Sequence, residues 1–183
     1  MNIEKLMENL PELKTDRLTL RKFNMEDIDG VFQYASDPEV ARYALWKPHK
    51  SMEESKSTIE RYIQSYENHT GTVWGIYHNE EKKVIGSAGF IKCDDYFKRG
   101  EIGYTLARKY WGQGYATELL NRLIGFGFNQ LNLHRIEGIC HIGNLASARV
   151  MEKAGMIQEG ILRGYFYKDN NHSDVRIYSI IHE

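Results

Sequence analysis

Apolar residues recur along this chain in two rhythms, and the switches between them lay out the elements. Over residues 17–23 they alternate, with Leu18 and Leu20 on one side, as in a strand with one face buried. Asn24 stands where a helix opens, and Ile28, Val31, Phe32 and Ala35 follow at helical spacing as one apolar stripe. Ser51 and Glu54 make a capping-box pattern ahead of Ile59, Tyr62, Ile63 and Tyr66, which repeat that spacing. Residues 72–78 and 84–91, rich in β-branched and aromatic side chains, flank the polar stretch 79–83 and predict a hairpin. A polar loop over 93–100 leads into a strand over 101–107. Leu119, Leu120, Leu123 and Ile124 then mark the apolar face of a helix beginning near Gly114. Residues 135–141 predict a strand, and Asn144 opens a short helix that Gly155 closes. Residues 165–168 and 175–181 flank Asp169-Asn170-Asn171 as a last hairpin.

The order is strand, two helices, three strands, helix, strand, helix, two strands: an α+β arrangement around a mixed sheet. At 183 residues the chain builds one well-buried core and is short for two, so residues 1–183 are expected to form a single domain. No repeat, low-complexity segment or linker breaks it.

Charge narrows the partners. Lys and Arg number 24 against 25 Asp and Glu, a formal net charge of -1, so no overall field draws nucleic acid or an anionic membrane, and neither is expected as a partner. Any phosphate binding must be local. The start, Met1-Asn2-Ile3-Glu4-Lys5, lacks the apolar run of a signal peptide, and no apolar stretch is long enough to cross a bilayer; a cytoplasmic location is expected. Cys93 and Cys140 are far apart and read as free thiols, and the seven histidines include no i, i+4 pair, so no metal is expected.

The segment Trp111-Gly112-Gln113-Gly114-Tyr115-Ala116-Thr117 offers local phosphate chemistry. A helix's first turn leaves backbone N–H groups without intrahelical partners and carries the positive end of the peptide dipoles. Small residues there let a phosphate approach the backbone, so residues 112–117 read as a phosphate cradle. A dinucleotide fingerprint would place Gly or Ala where Thr117 stands and would follow a βαβ start rather than a meander of hairpin strands, and no Walker lysine is present.

These segments, with Glu101-Ile102-Gly103-Tyr104 before them and the helix over 144–155 after them, resemble the GNAT acetyltransferase superfamily, specifically its RimJ/RimL-type branch of protein N-acetyltransferases. The resemblance runs from Thr15-Asp16-Arg17-Leu18-Thr19-Leu20-Arg21 through Ser36-Asp37-Pro38-Glu39-Val40 to Leu131-Asn132-Leu133-His134-Arg135-Ile136. It implies a sheet of about seven mostly antiparallel strands flanked by four helices. The strands at 101 and 135 would run parallel and splay apart, with a bulge in the first. Acetyl-CoA would be the co-substrate, lying in the gap with its pyrophosphate on residues 112–117. Gly114 and Ala116 match the superfamily's motif, but Trp111 stands where it usually has Gln or Arg.

By the same resemblance, Asn144 contacts the pantetheine arm, unless it serves only as an N-cap. Many members place an acidic Tyr seven residues after that Asn, where this chain has Met151, which cannot donate a proton. Ser147 takes the role of acid toward the departing thiolate, or else bonds its own helix backbone. Glu101 is the implied base, its bland alternative an ion-paired carboxylate, with His141 in reserve. Backbone N–H groups around Thr105 and Leu106 would hold the carbonyl oxygen. Lys153 could reach a phosphate, and Tyr43 and Trp46 form either core or the rim of the acceptor cleft.

Deprotonating a lysine side chain at pH 7 costs about 4.6 kcal/mol and an α-amine about 1 kcal/mol, so modest base machinery suits an α-amine. That agrees with the branch's acetylation of ribosomal-protein N-termini. Small amines such as polyamines or antibiotics, a non-catalytic acyl-CoA-binding module and a homodimer stay open.

Overall fold

The computed structural model describes residues 3–183; Met1 and Asn2, at the start considered above, lie outside the described residues. The chain opens with α1 (Ile3–Glu8), β1 (Leu13–Lys14) and β2 (Leu18–Arg21). A 3₁₀ turn (Met25–Asp27) leads into α2 (Ile28–Ala35), followed by α3 (Pro38–Ala41) and α4 (Met52–Glu67). Then come β3 (Val73–His78), β4 (Lys83–Asp94), β5 (Arg99–Leu106), a second 3₁₀ turn (Arg108–Tyr110), α5 (Tyr115–Asn129), β6 (Arg135–His141), α6 (Leu145–Lys153), β7 (Ile157–Lys168) and β8 (Asn171–Ile181). Short α1, β1 and α3 lack the length for a visible periodicity, which is why the pattern of apolar positions leaves them out.

One eight-stranded sheet runs β1-β2-β3-β4-β5-β6-β8-β7. Its pairings are antiparallel except β5 with β6. That parallel pair is brief: Arg99 faces Arg135, Gly100 faces Ile136 and Glu101 faces Glu137, after which the strands part while β5 continues to Leu106 and β6 to His141. The other edge of β6 stays paired with β8 throughout, from Arg135 opposite Ile181 to His141 opposite Val175. The gap therefore opens on one side of β6 only.

The bulge lies in β4, not in the 101 strand where it was expected. Phe90 faces Ile102 and Lys92 faces Glu101, so Ile91 is the extra residue. A bulge re-aims the residues beyond it. Here it sets Lys92 directly opposite Glu101.

Around the sheet, Trp74, Phe90 and Phe126 form the aromatic centre of the core. Trp74 meets Phe126 edge-on at 5.8 Å. Asn24 caps the first 3₁₀ turn by accepting from the Glu26 N–H, and Asp27 closes the box onto the Asn24 N–H. The buried face of α2 is Gly30, Val31, Tyr34 and Ala35, turned from the anticipated stripe. Tyr34 is buried on that face, and burial pushes its phenol well above its ordinary value against the pull of Ser87. At α4, Ser51 accepts from the Glu54 N–H, but the Glu54 carboxylate reaches back to the Lys50 N–H rather than to Ser51. Cys93 and Cys140 are free thiols.

Candidate active site

Three pieces of backbone meet at the gap: the open edge of β5, the start of α5 and the start of α6. The connection from β5 to α5 is held by Trp111, whose indole N–H donates to the Leu106 carbonyl at 2.8 Å. Trp111 thus spends its only polar group on the loop. Beyond it, Gly112 and Gly114 take left-handed φ values of +73° and +83°, which side chains with a Cβ adopt at a cost. No heavy atom lies within 4 Å of a Cβ built on Gly112, and only the Arg17 guanidinium, at 3.5 Å, lies near one built on Gly114. The backbone there is open to solvent.

Gly114 is the N-cap of α5 and makes no side-chain cap. The Glu118 N–H donates to the Gly114 carbonyl at 3.0 Å, so the amides of Tyr115, Ala116 and Thr117 precede the helix's hydrogen-bond ladder. Glu118 also anchors the start of α5 to the turn between β1 and β2. It accepts from the Thr15 hydroxyl at 2.6 Å, the Arg17 N–H at 3.0 Å and Arg17 Nε at 2.6 Å. Arg17 in turn donates to the Gln113 carbonyl and lies 3.9 Å over the Tyr115 ring. Burial pushes the Glu118 carboxyl up, but the Thr15 and Arg17 bonds outweigh it and hold it below its ordinary value. Gln113 points its amide back to the Lys109 carbonyl. Tyr115 is buried, with its hydroxyl 2.8 Å from His78 Nε2.

Peptide groups along β5 alternate between β4 and the gap. The Ala107 N–H donates to the Ile85 carbonyl, which fixes the phase: Thr105 directs its amide toward β4, and Tyr104 and Leu106 direct theirs to the open edge. Donors on that edge thus come from Tyr104 and Leu106, with Thr105 between them turned away.

Glu101 lies at the root of the gap, where the two strands part. Its residue is 6% exposed, and Oε1 is a buried oxygen with no hydrogen-bond partner among the described residues. Its other oxygen accepts from Lys92 Nζ at 2.7 Å, and Lys92 also reaches the Tyr165 hydroxyl at 3.3 Å. The Glu101 carboxylate holds the Lys92 ammonium above its ordinary value. One Glu101 oxygen is thus ion-paired, while the other is buried with no hydrogen-bond partner among the described residues.

At the start of α6 the Asn144 side-chain oxygen accepts from the Ser147 N–H at 3.1 Å, a true N-cap. The Ser147 hydroxyl lies 3.0 Å from the hydroxyl of Tyr104, which reaches across the gap from β5. Burial pushes the Tyr104 phenol up to about 12, against the pull of Ser147, so it stays protonated at neutral pH. Met151 is buried, and its sulfur lies 2.7 Å from where a Cβ on Gly138 would be. It is a core residue resting on β6. His141 accepts from the Gly143 N–H at Nδ1 and stacks on Tyr43 at 5.0 Å. Lys153 is exposed in the last turn of α6, at the far end from Asn144.

Lys92 and Tyr104 are the residues that sequence reasoning missed. Lys92 is aligned with Glu101 only by the bulge at Ile91, and Tyr104 meets Ser147 only across the splay. A buried carboxylate needs a counter-ion, which was the one signal pointing to a residue such as Lys92.

Residues 17–157 match the family described as the Acetyltransferase (GNAT) domain. An uncharacterized N-acetyltransferase of Bacillus subtilis, YoaA, is 35% identical over 171 residues, covering 93% of this chain and 97% of the relative. The chain belongs to the GNAT acetyltransferase family. It is an acyltransferase, and relatives of the RimJ/RimL type lie within reach of its sequence. The ribosomal-protein-serine acetyltransferase of Escherichia coli is 26% identical, with 72% of this chain and 73% of that protein covered. The crystal structure of a GNAT-family acetyltransferase from Bacillus anthracis, 29% identical, superposes with a TM-score of 0.82 over 93% of this enzyme and 98% of its own chain. No helix among the enzyme's described residues is long and apolar enough to cross a membrane.

Proposed function

We propose that this acetyltransferase moves the acetyl group of acetyl-CoA directly to a protein N-terminal α-amine, with both substrates bound at once. The observation that carries this reading is the meeting of a glycine-capped helix start with an open strand edge, at the root of which a buried carboxylate oxygen lacks a partner. The amides of residues 112–117 suit a diphosphate, each well-placed dipole contact contributing about 0.3–1 kcal/mol. Gly112 and Gly114 fit that role, since among the described residues no atom beyond its chain neighbours lies within 4 Å of a Cβ built on Gly112. The open-edge N–H groups of Tyr104 and Leu106 suit the carbonyls of a pantetheine arm and the oxyanion of the tetrahedral intermediate. Asn144 adds its amide nitrogen to that arm.

In this scheme Glu101 Oε1 takes the proton that the incoming ammonium must lose, and the nitrogen attacks the thioester carbon. As the C–S bond breaks, Ser147 passes its hydroxyl proton to the departing sulfur and is reprotonated by the second proton that the nitrogen gives up on becoming an amide. Holding both substrates in line supplies much of the acceleration, up to about 7–11 kcal/mol in favourable cases. An α-amine needs little help to deprotonate, which suits one carboxylate as the only base. Thiol release from acetyl-CoA with a panel of short peptides tests the proposal. Release with free N-termini that stops when those N-termini are blocked supports it; release only with small non-peptide amines, or with nothing, contradicts it.

A further inference from the structure

Building on that reading, we propose that the acceptor carries an anionic group close to the amine, and that the outer half of the acceptor cleft is an anion subsite. Two adjoining hollows, of about 480 and 290 Å³, lie between the loop after α3 and the β7–β8 turn, and Arg42, Lys168 and Asp169 line both. The larger adds Lys47 and Lys50, so four cations face one carboxylate in its wall. The smaller reaches inward to Tyr43, His141 and Phe166. His141 stacks on Tyr43, and its carbonyl accepts from the N–H of Asn144, the cap of α6 at the gap, so the smaller hollow adjoins the gap at that end.

Lys168 is the strongest element of this subsite. Its half-buried ammonium donates to the carbonyls of Ala41 at 2.9 Å and Ala44 at 2.7 Å. It forms no ion pair among the described residues, so its charge is uncompensated where the two hollows meet. An ammonium has three donors, and two are engaged. Around it, Lys47 pairs with Asp169 at 3.3 Å and Arg42 with Glu39 at 3.5 Å, all four side chains more than half exposed and so worth little to one another. The cleft is thus bipolar. A buried carboxylate at its root suits an ammonium, and cations at its mouth suit a carboxylate or phosphate. A polyamine, cationic along its length, meets like charge at the mouth.

Steady-state turnover of the full chain with acetyl-CoA tests this. The acceptors are matched peptides whose second and third residues are acidic, neutral or basic, a free acidic amino acid, and spermidine. The acidic peptide, or the acidic amino acid if the anion comes from a small molecule, is expected to exceed the neutral peptide in kcat/KM by about tenfold, as a charge-assisted hydrogen bond would give. That advantage falls toward unity with added salt and in an Arg42→Gln/Lys50→Gln variant. Turnover of peptides without a preference for anions overturns the subsite while leaving transfer to N-termini intact; turnover of spermidine alone overturns both. No turnover with any acceptor overturns both.

Discussion

A phenol is a stronger acid than an aliphatic alcohol, so in the pair formed by Tyr104 and Ser147 the tyrosine is the better donor. With Tyr104 donating, the Ser147 hydrogen is free to point elsewhere, and in the proposed chemistry it points to sulfur. Tyr104 therefore acts through Ser147 as a positioning residue. Ser147→Ala is expected to lower kcat by about 100-fold, within the range of general acid catalysis, and Tyr104→Phe by about tenfold. In the Ser147→Ala background, Tyr104→Phe costs almost nothing; a double-mutant cycle in kcat measures this, and equal losses in both backgrounds would mean that Tyr104 only supports the fold. Glu101→Gln keeps the shape of the side chain and removes its basicity, so kcat is expected to fall by at least about 100-fold with little change in the KM for acetyl-CoA. Steady-state kinetics at saturating acceptor checks it. Glu101 and Ser147 could be singled out in the sequence because their positions follow from neighbouring motifs. Lys92 and Tyr104 could not, since a one-residue bulge and the divergence of two strands decide what each of them touches.

At the scale of elements, the helix start at Gly114 depends on two supports, a left-handed backbone and the tie from Glu118 to Thr15 and Arg17. Gly114→Ala places a Cβ at a φ of +83° and is expected to destabilise by about 1–2 kcal/mol. It also raises the KM for acetyl-CoA more than it changes kcat, measured by thermal melting alongside kinetics. The Glu118 tie has a pH signature. Its carboxyl is held below the ordinary value in the folded state, so its contribution is fully present above that value and is lost as the pH falls through the depressed one. Glu118→Gln is accordingly expected to cost about 2 kcal/mol at neutral pH, in line with hydrogen bonds to a charged group, and to narrow its deficit below about pH 4. Urea unfolding at several pH values reads this directly; a deficit constant with pH would contradict it. The long elements were legible because each keeps one period over several turns or residues. The tie was not, because it joins residues 101 to 103 positions apart in the chain.

For the whole molecule, the sheet is a continuous wall interrupted at one place. β6 remains fully paired with β8 while it leaves β5, so the opening is rigid on one side and framed by two helix starts. Order of elements and fold class could be read from the chain; the eighth strand, the extra short helices and the true site of the bulge needed coordinates, because short elements carry no periodicity. A ligand that fills such an opening stabilises the folded state by mass action. CoA at about 100 times its Kd adds about 2.7 kcal/mol, which for a domain of this size raises Tm by roughly 5–10 °C. The most direct measurement is a crystal structure with acetyl-CoA bound. The diphosphate is predicted to accept hydrogen bonds from amides between Gln113 and Thr117, with the thioester between β5 and β6 and its sulfur within reach of Ser147. Acetyl-CoA found on another surface, or a diphosphate that leaves those amides untouched, would contradict the account.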